Sequence, residues 1–480
     1  MNKKPRHVLM PWDDLAWEQS DARADAWERS QLNANNFLAV GNFINKHKPG
    51  KAVELHKPIR GGYNVCYRLD YEDGSSVALR IPIDRPGIQF ADEKIMAEVA
   101  TMRLVAEQTT IPVPKIYHFG VAADNPLELG PFIIMDYIEH DSTMSDAMVD
   151  PNLAPDEDHV LDLNIEKEKL EFFYKQLANI LLQLSKIQFD RVGSLLQDEN
   201  GCISVAGRPL IQNMSHLMQY TEAPDAMLPS SPYPDIKTWY AVLADMHIAQ
   251  FTFQHNDNIL DEDDARDKFI ARLLFRQLVS EGRLTSTVDD QQGTRLFLED
   301  FRPSNILVDK NIRIVGVIDW EYAYAAPTQF SDDPPWWLFL MKPDEWPGAY
   351  EPWMNAYEPR LRTFLRVLES EEKKLGADKK CHGICLSERM RKSWDDKTWM
   401  TSFAARNSWA FDLIFWRYID PMYFGPNEAA DHHARLHLLT QRQKEAMEDL
   451  VAVKMKEGSE RKFGKWDTDE AKAHLARFWN

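Results

Sequence analysis

The chain has 480 residues, with 75 acidic and 56 basic side chains and a formal net charge of −19. A chain of this length can bury a large core and is expected to form two or three domains or lobes. The charge argues against nucleic acid and anionic membranes as partners and favours a small molecule, for which a cationic group would suit the acidity.

The amino-terminal residues contain no apolar stretch of the kind found in a secretory signal, and Asp13 and Asp14 closely follow the first basic residues, so neither a secretory signal nor an obvious transit peptide is predicted. The sequence has no apolar run of about eighteen residues, so no membrane span is predicted. The four cysteines are too few for a disulfide framework and indicate a reducing compartment. Together these features predict a cytoplasmic protein.

Residues 1–50 are predicted to form a helical extension. Between Asp21 and His47, apolar side chains recur at three- and four-residue spacing, which is typical of amphipathic helices. Pro49 and Gly50 end this pattern. The extension therefore precedes the segment in which strands begin.

Residues 51–140 have the pattern of a sheet with one helix. Gly61 and Gly62 form the turn between the first two strands, and short apolar runs alternate with further turns. The predicted elements are, in order, the strands AVELHKPI, NVCYRLDY and SSVALRIP, the helix ADEKIMAEVATMRLVAEQ, a strand that IPVP introduces, and the strand GPFIIMDYIEH.

Residues 141–480 are predicted to be mainly helical. The segment Leu170–Leu195 has a broad apolar stripe that predicts a long central helix, whereas Pro224–Asp235 predicts a loop. Further on, Asp332-Asp333 and Trp336-Trp337 offer carboxylates and aromatic walls. They could hold an amine-bearing acceptor, and they could equally be core tryptophans beside a helix cap.

The segment Leu296–Glu321, LFLEDFRPSNILVDKNIRIVGVIDWE, carries the strongest chemical signal. Asp300 stands five residues before Asn305, and Asp319 follows fourteen residues after Asn305, at the end of an apolar run. Phosphoryl transfer needs a carboxylate near the attacking hydroxyl and hard oxygen ligands for Mg²⁺, and these side chains fit those roles in that order. A turn capped by Asp300 and Asn305 is the alternative, and it leaves Asp319 unexplained.

This spacing, D-x-x-x-x-N and then IDWE, resembles the catalytic and metal-binding segments of the aminoglycoside phosphotransferase family and, less closely, those of protein kinases. The words AEVATM, TTIPVPKIYHFG and VALRIP resemble the small lobe of fungal members of that family. The resemblance implies an α+β, bilobal protein-kinase-like fold, with a five-stranded antiparallel sheet in the N-lobe, residues 51–140, and a mainly helical C-lobe, residues 141–480.

The resemblance also implies a reaction, the ATP-dependent transfer of the γ-phosphoryl group to a hydroxyl of a small molecule, with Mg²⁺ as the metal. Asp300 would accept the proton of the acceptor hydroxyl or orient it, while Asn305 and Asp319 would hold Mg²⁺. Arg302 would stabilise charge on the transferring phosphoryl group.

The N-lobe would bind the nucleotide phosphates. Gly61 and Gly62 would form the flap over them, because glycine lets backbone N–H groups approach closely. Arg80 stands where the family carries its phosphate-binding Lys. Glu98 in the following helix would brace it, with Glu93 as the alternate partner.

The adenine edge would bond to backbone groups at Asp136, Tyr137 and Ile138. These residues end the apolar strand GPFIIMDYIEH, where the hinge between the lobes is expected. A buried strand with a frayed end would give the same pattern, so this assignment depends on the order of the motifs.

Besides Arg80 in place of the family's Lys, two residues next to Asp300 depart from the family pattern. Leu298 stands where the family usually has His, and Glu299 stands where it usually has Gly. A kinase-fold protein that does not phosphorylate, either a nucleotide-binding scaffold or a fold used for another transfer reaction, is therefore the alternative hypothesis.

Overall fold

The computed structural model describes residues 12–31, 33–154, 157–285, 293–348, 350–375 and 385–479. In these residues the chain forms a small lobe built on an antiparallel sheet and a large, mainly helical lobe. The predicted bilobal, protein-kinase-like α+β fold is confirmed.

Two helices precede the small lobe, as predicted, and they share its core. They are α1 (Asp14–Gln31) and α2 (Ala34–His47). Phe43 and Ile44 of α2 belong to the same buried apolar cluster as Val65 and Leu79 of the sheet. The helices are therefore stabilised by packing on the sheet more than by their own propensity.

The small-lobe sheet has six antiparallel strands, one more than predicted. They are β1 (Ala52–Leu55), β2 (Ile59–Arg60), β3 (Asn64–Tyr71), β4 (Ser76–Pro82), β5 (Ile116–Gly120) and β6 (Phe132–Asp136). Five of them form the order β1-β3-β4-β6-β5, and the two-residue β2 pairs with β3. Every residue of β4, the central strand, is buried. A charged side chain in β4 must therefore find partners inside the protein.

The helix α3 (Ala91–Gln108) lies between the lobes, because it contacts β5 of the small lobe and a hairpin of the large lobe. It ends at Gln108, where Thr109 is the C-cap in an extended conformation, shortly before the extended IPVP segment. Lys94 and Glu98, one turn apart on α3, are both buried. One face of α3 thus carries two charges into the interior.

The large lobe is mainly helical. Its α-helices are α4 (Met144–Met148), α5 (Lys167–Leu184), α6 (Gln212–Tyr220), α7 (Ile236–Phe253), α8 (Glu262–Ser280), α9 (Thr328–Asp332), α10 (Tyr350–Lys374), α11 (Leu386–Asp395), α12 (Thr398–Arg406), α13 (Ser408–Ile414), α14 (Asp420–Phe424), α15 (Gln441–Glu460) and α16 (Thr468–Trp479). None of the described helices combines the length and the apolar character that a membrane crossing requires.

Short strands accompany these helices and carry the chemical motif. They are β7 (Ser142–Thr143), β8 (Gln188–Phe189), β9 (Ser194–Gln197), β10 (Ile203–Gly207), β11 (Thr294–Leu298), β12 (Ile306–Val308), β13 (Ile314–Val317) and β14 (Ala323–Pro327). The sheets are β10-β9, β14-β11-β8 and β13-β12-β7. Asp300 thus follows β11, and the β12–β13 hairpin separates Asn305 from Asp319.

One helix prediction needs correction. The segment Leu170–Leu195 does not form a single helix, because α5 ends at Leu184. Beyond that point Gln188–Phe189 pairs with β11, and Ser194–Gln197 pairs with β10. These ladders satisfy the backbone groups that a longer helix would have used. The apolar stripe is real, but Ile187 reaches the core from outside the helix.

We predict that Arg272→Ala lowers the free energy of unfolding by about 3 to 5 kcal/mol. Arg272 of α8 and Asp412 of α13 are fully buried, and Arg272 Nη1 donates to Asp412 Oδ1 over 2.6 Å. The substitution leaves a buried carboxylate without its cation. Urea unfolding measures the loss. Arg276→Ala, on the same helix but exposed, is the matched control, and an equal cost for both variants would contradict the prediction.

Candidate active site

Arg80 of β4 connects both lobes at the cleft between them. Its Nη2 donates to Glu98 Oε2 of α3, and its Nη1 donates to Asp319 Oδ1 over 3.0 Å. Glu93, the alternate partner, pairs instead with Arg208 over 2.9 Å. The structure therefore joins Arg80, Glu98 and Asp319, which the sequence assigns to one site.

The backbone after β13 directs Asp319 towards this cleft. Asp319 has a φ of 61°, in the left-handed region, and turns the chain sharply at the end of the strand. Trp320 is fully buried and its Nε1 donates to the Val317 carbonyl over 2.9 Å, so the indole anchors the turn. Ile318 N donates to the Asn305 carbonyl over 2.9 Å, which brings the two predicted metal ligands together.

Asp300 is held by its own loop. Asn305 Nδ2 donates to the Asp300 carbonyl over 2.9 Å and to its Oδ2 over 3.1 Å. Arg302 Nε lies 3.1 Å from Asp300 Oδ1. Burial raises the pKa of Asp300, and the Glu321 carboxylate raises it further, against the opposing effect of Arg302. Asp300, Arg302 and Asn305 thus form one cluster, as predicted.

A second ion pair in the cleft was not predicted. Lys94 of α3 lies 2.6 Å from Glu321 of the IDWE word, and both side chains are buried. Burial alone would lower the pKa of Lys94, but the Glu321 carboxylate raises it above its usual value. A signal existed in the sequence, because Lys94 precedes Glu98 by one helical turn and so shares its face.

The carboxylates of the cleft repel one another. Burial raises the pKa of Asp319, and the neighbouring Glu321 and Asp300 carboxylates add to the rise while Arg80 and Lys94 oppose it. With Glu98 the cluster has four carboxylates, and these outnumber its three cations, which are Arg80, Lys94 and Arg302. This excess of negative charge favours a bound cation.

The predicted flap lies next to the same cluster. Gly61 and Gly62 are exposed in the turn between β2 and β3, which Gly61 N closes by donating to the Asn64 carbonyl over 2.8 Å. A Cβ on Gly62 would meet nothing within 4 Å. Burial raises the pKa of the Tyr63 phenol. The Lys94 ammonium lowers this pKa, and the Glu321 and Asp300 carboxylates raise it. The turn therefore adjoins the cleft.

The predicted hinge follows β6. Asp136 N donates to the Lys115 carbonyl over 2.9 Å, and Tyr137 N donates to the Ser76 carbonyl over 3.0 Å. Both amides are thus used inside the small lobe. The Ile138 carbonyl lies 2.8 Å from Nδ1 of the exposed His140. The adenine role of these three residues stays a prediction.

Leu298 and Glu299, which depart from the family pattern, hold the loop of Asp300 in place by other contacts. Leu298 is buried and pairs with Ala323 in the β11–β14 ladder. Glu299 Oε2 accepts a hydrogen bond from Gln212 N at the start of α6 over 2.7 Å. The loop is therefore fixed from both sides without a histidine at position 298.

The carboxylates proposed for an amine are already paired. Arg389 Nε lies 2.9 Å from Asp332 Oδ1. Asp333 accepts hydrogen bonds from Arg406 Nη2 over 3.0 Å and from the hydroxyls of Ser393 and Ser402. These interactions support the alternative interpretation, a structural role, for Asp332 and Asp333.

A cleft of about 280 Å³ opens beside the catalytic loop. Its lining includes Arg302 and Ser304 of the loop, together with His159, Trp336 and Lys342. The Lys342 ammonium lies 5.4 Å from the centre of the Trp336 ring and has no ion-pair partner among the described residues. The cleft is adjacent to Asp300, because Arg302 of its lining lies 3.1 Å from the Asp300 carboxylate.

The large lobe matches a known family. Residues 206–367 match the family model described as the phosphotransferase enzyme family. The matched range contains Asp300, Asn305 and Asp319, whereas Arg80 and Glu98 lie outside it. The resemblance to a phosphotransferase family is confirmed.

The chain is also similar to fungal proteins named "Altered inheritance of mitochondria protein 9, mitochondrial". The identity is 28% with that of Kluyveromyces lactis, over 32% of this chain and 23% of the relative. It is 29% with that of Eremothecium gossypii (38% and 30%) and 23% with that of Clavispora lusitaniae (61% and 52%). The matched parts therefore span between a quarter and about half of the length of these relatives.

The prediction of a cytoplasmic location is wrong, because these relatives are named mitochondrial proteins. The prediction depended on the absence of a secretory signal, of an obvious transit peptide and of a membrane span, and on the few cysteines. The missing secretory signal and the few cysteines argue against secretion, but they do not distinguish the cytosol from other reducing compartments. The names of the relatives oppose the interpretation that no transit peptide is present.

Solved structures with a similar course of the chain include macrolide 2′-phosphotransferase type I, at 12% identity and a TM-score of 0.40, over 85% of this chain and 98% of that chain. Another is an ethanolamine kinase of Plasmodium vivax, at 10% identity and a TM-score of 0.36, over 90% and 89%. These scores are low, so we base the fold class on the strand order and the helical lobe.

We predict that Glu299→Gln stabilises the protein at pH 8 by about 1 to 3 kcal/mol. Burial raises the pKa of Glu299 from 4.5 to about 7 in the folded protein. Because the folded state binds this proton more tightly, the stability of the wild type falls as pH rises from about 4.5 to about 7. The glutamine cannot ionise and escapes this loss.

Urea unfolding of both proteins between pH 5 and pH 8 measures the difference. It should be largest at pH 8 and should shrink as the pH falls towards 5. The exposed Glu428→Gln is the control. A constant difference at every pH would contradict the raised pKa.

Proposed function

We propose that this protein transfers the γ-phosphoryl group of ATP, bound with Mg²⁺, to a hydroxyl group of a small molecule. The observation that carries the proposal is the ion-pair chain Glu98–Arg80–Asp319, which joins the N-lobe sheet, α3 and the segment after β13. In the family that this sequence resembles, these positions belong to the nucleotide phosphates and their metal. The family match of residues 206–367 supports the same reaction class.

The oxygen atoms of Asn305 and Asp319 in the cleft are suitable ligands for Mg²⁺. The Asn305 amide donates through Nδ2, and its Oδ1 makes no hydrogen bond within the described part of the chain, while Asp319 has one oxygen on Arg80 and a second available. Amide and carboxylate oxygens are the ligands that Mg²⁺ prefers. Asn305 and Asp319 would hold the metal, which when bound offsets the charge of the β- and γ-phosphates. The excess of carboxylates supports this assignment.

Asp300 would act on the acceptor. A hydroxyl entering through the cleft of Arg302 and Lys342 would reach the Asp300 carboxylate, which would orient it and take its proton. As the hydroxyl oxygen bonds to the γ-phosphorus, the bond between that phosphorus and the β–γ bridging oxygen would break, and ADP would leave. Arg302 lies close enough to stabilise negative charge on the transferring group. Arg80, braced by Glu98, would contact the α- and β-phosphates, and the turn of Gly61 and Gly62 would cover them.

A second hypothesis is a kinase-fold protein that binds nucleotide without phosphorylating. The Arg80–Asp319 bond favours it, because a guanidinium already neutralises one predicted metal ligand. Under either hypothesis, the names of the fungal relatives support a mitochondrial location for this protein.

We predict that Mg·ATP raises the unfolding temperature and that Asp319→Ala abolishes most of the rise. A ligand that binds only the folded state stabilises it by about 2.7 kcal/mol at 100 times its dissociation constant. Thermal unfolding of each variant with and without Mg·ATP gives the shift. Asp245→Ala, a carboxylate remote from the cleft, is the control. Equal shifts in Asp319→Ala and the control would remove Asp319 from the metal site.

We predict that Asp300→Asn keeps the affinity for Mg·ATP but lowers turnover by about 10²- to 10⁴-fold, the usual contribution of a positioned general base. Asparagine preserves the shape and the contact with Asn305 but accepts a proton poorly. Calorimetry measures binding, and transfer of labelled γ-phosphate into a small-metabolite extract measures turnover. Wild type that binds Mg·ATP but labels no metabolite would instead support the second hypothesis.

A further inference from the structure

A separate cavity of about 100 Å³ lies behind the catalytic strand. Its wall includes Leu298, Glu299 and Phe301, which flank Asp300, whereas Asp300 itself is not part of the wall. Most of the remaining wall is apolar and largely aromatic, with Trp337 and Trp353 among the lining side chains, and its polar members include Ser331, Asp333 and Arg406. A cavity of this volume suits a molecule of about one ring.

Three hydrogen-bond donors on this wall have no partner. They are Trp399 Nε1, Arg406 Nε and Ser331 Oγ, all buried atoms for which the described part of the chain offers no acceptor. Trp399 is only 3% exposed. A buried donor without an acceptor has lost its hydrogen bond to water and gained none in return, so an arrangement of three is unfavourable unless something accepts from them.

The charged groups of the wall decide which kind of molecule fits. Arg406 already pairs with Asp333, and Glu299 adds a second carboxylate, so an anion would meet uncompensated negative charge. An ammonium group would bring more donors to a wall whose unpartnered polar atoms are all donors, because Asp333 already accepts from Arg406, Ser393 and Ser402, and Glu299 already accepts from Gln212 N. A neutral molecule with an acceptor oxygen meets neither penalty.

We propose that this cavity binds a small, neutral, apolar molecule of about one ring that carries a carbonyl oxygen. The oxygen accepts from Trp399, Arg406 or Ser331, and the ring packs among the tryptophans. Occupancy places the ligand against the strand that leads to Asp300. The inference requires no phosphotransfer activity, so it stands or falls independently of the proposed function.

Acetophenone is the probe, and calorimetry on the full chain measures its binding. Ethylbenzene lacks the oxygen, benzoate adds a negative charge and 1-phenylethylamine adds a positive one. We expect saturable, one-to-one binding of acetophenone that is the tightest of the four. The fluorescence of the lining tryptophans should change with the same midpoint.

Trp399→Phe removes one donor while it keeps most of the ring volume. It should weaken acetophenone about 5-fold, the scale of one neutral hydrogen bond, and leave ethylbenzene unchanged. Trp409→Phe is the matched control, because Trp409 Nε1 already donates to His216 Nδ1 over 2.6 Å outside this cavity. Ser331→Ala, a smaller change, repeats the test if Trp399→Phe does not fold.

Several outcomes would overturn the proposal. One is the absence of saturable acetophenone binding, and another is equal binding of acetophenone and ethylbenzene. Tighter binding of the amine or of benzoate would show that the charge argument is wrong. Unchanged acetophenone affinity in both Trp399→Phe and Ser331→Ala would show that the donors do not face the ligand.

Discussion

A guanidinium in a strand that is buried along its whole length cannot remain unpaired, and this constraint organises the cleft. Arg80 lies in β4, with Glu98 on one arm and Asp319 on the other. The desolvation of an unpaired charge would cost more than the strand gains from packing. The helix α3 and the turn after β13 must therefore approach β4 closely. A lysine, with one compact ammonium group, could not bridge two carboxylates in the same planar geometry.

The same helix makes the second connection, through Lys94 and Glu321. Glu98 and Lys94 are one turn apart, so α3 presents a negative and a positive charge to the catalytic half of the cleft. Buried ion pairs contribute little net stability, but they penalise arrangements in which a partner is missing. We infer that these pairs specify the position of α3 more than they strengthen the fold. Burial raises the pKa values of Asp300 and Asp319, and the surplus of neighbouring carboxylates that remains raises them further.

The strand β11 separates two environments. On one side Asp300 and Asn305 bond to each other at a polar cleft, and on the other Leu298 and Phe301 face an aromatic cavity. Glu299 lies between them, tied to α6 through Gln212 N. The catalytic loop is therefore held by hydrogen bonds in front and by packing behind. A substitution behind the strand can therefore affect Asp300 without contacting the proposed nucleotide site.

The sequence by itself determined the residues whose relation is local. Asp300 and Asn305 lie within one loop, and the pattern of short strands and one helix predicted the small lobe correctly, apart from the two-residue β2. The pairing of Arg80 with Glu98 was also predicted, but from the family resemblance, because residue spacing alone does not indicate this contact. The end of α5 at Leu184 was missed, since pairing of Gln188 and Phe189 with a strand more than a hundred residues away overrides a continuous apolar stripe.

Only the tertiary structure decided which distant charges meet. In the structure Lys94 pairs with Glu321, and Asp332 and Asp333 pair with arginines of α11 and α12. Three hydrogen-bond donors of the cavity behind β11 have no acceptor in the described part of the chain. The reason is physical: periodicity shows which side chains share a face of one element, whereas the partner of a buried charge depends on how separate elements pack.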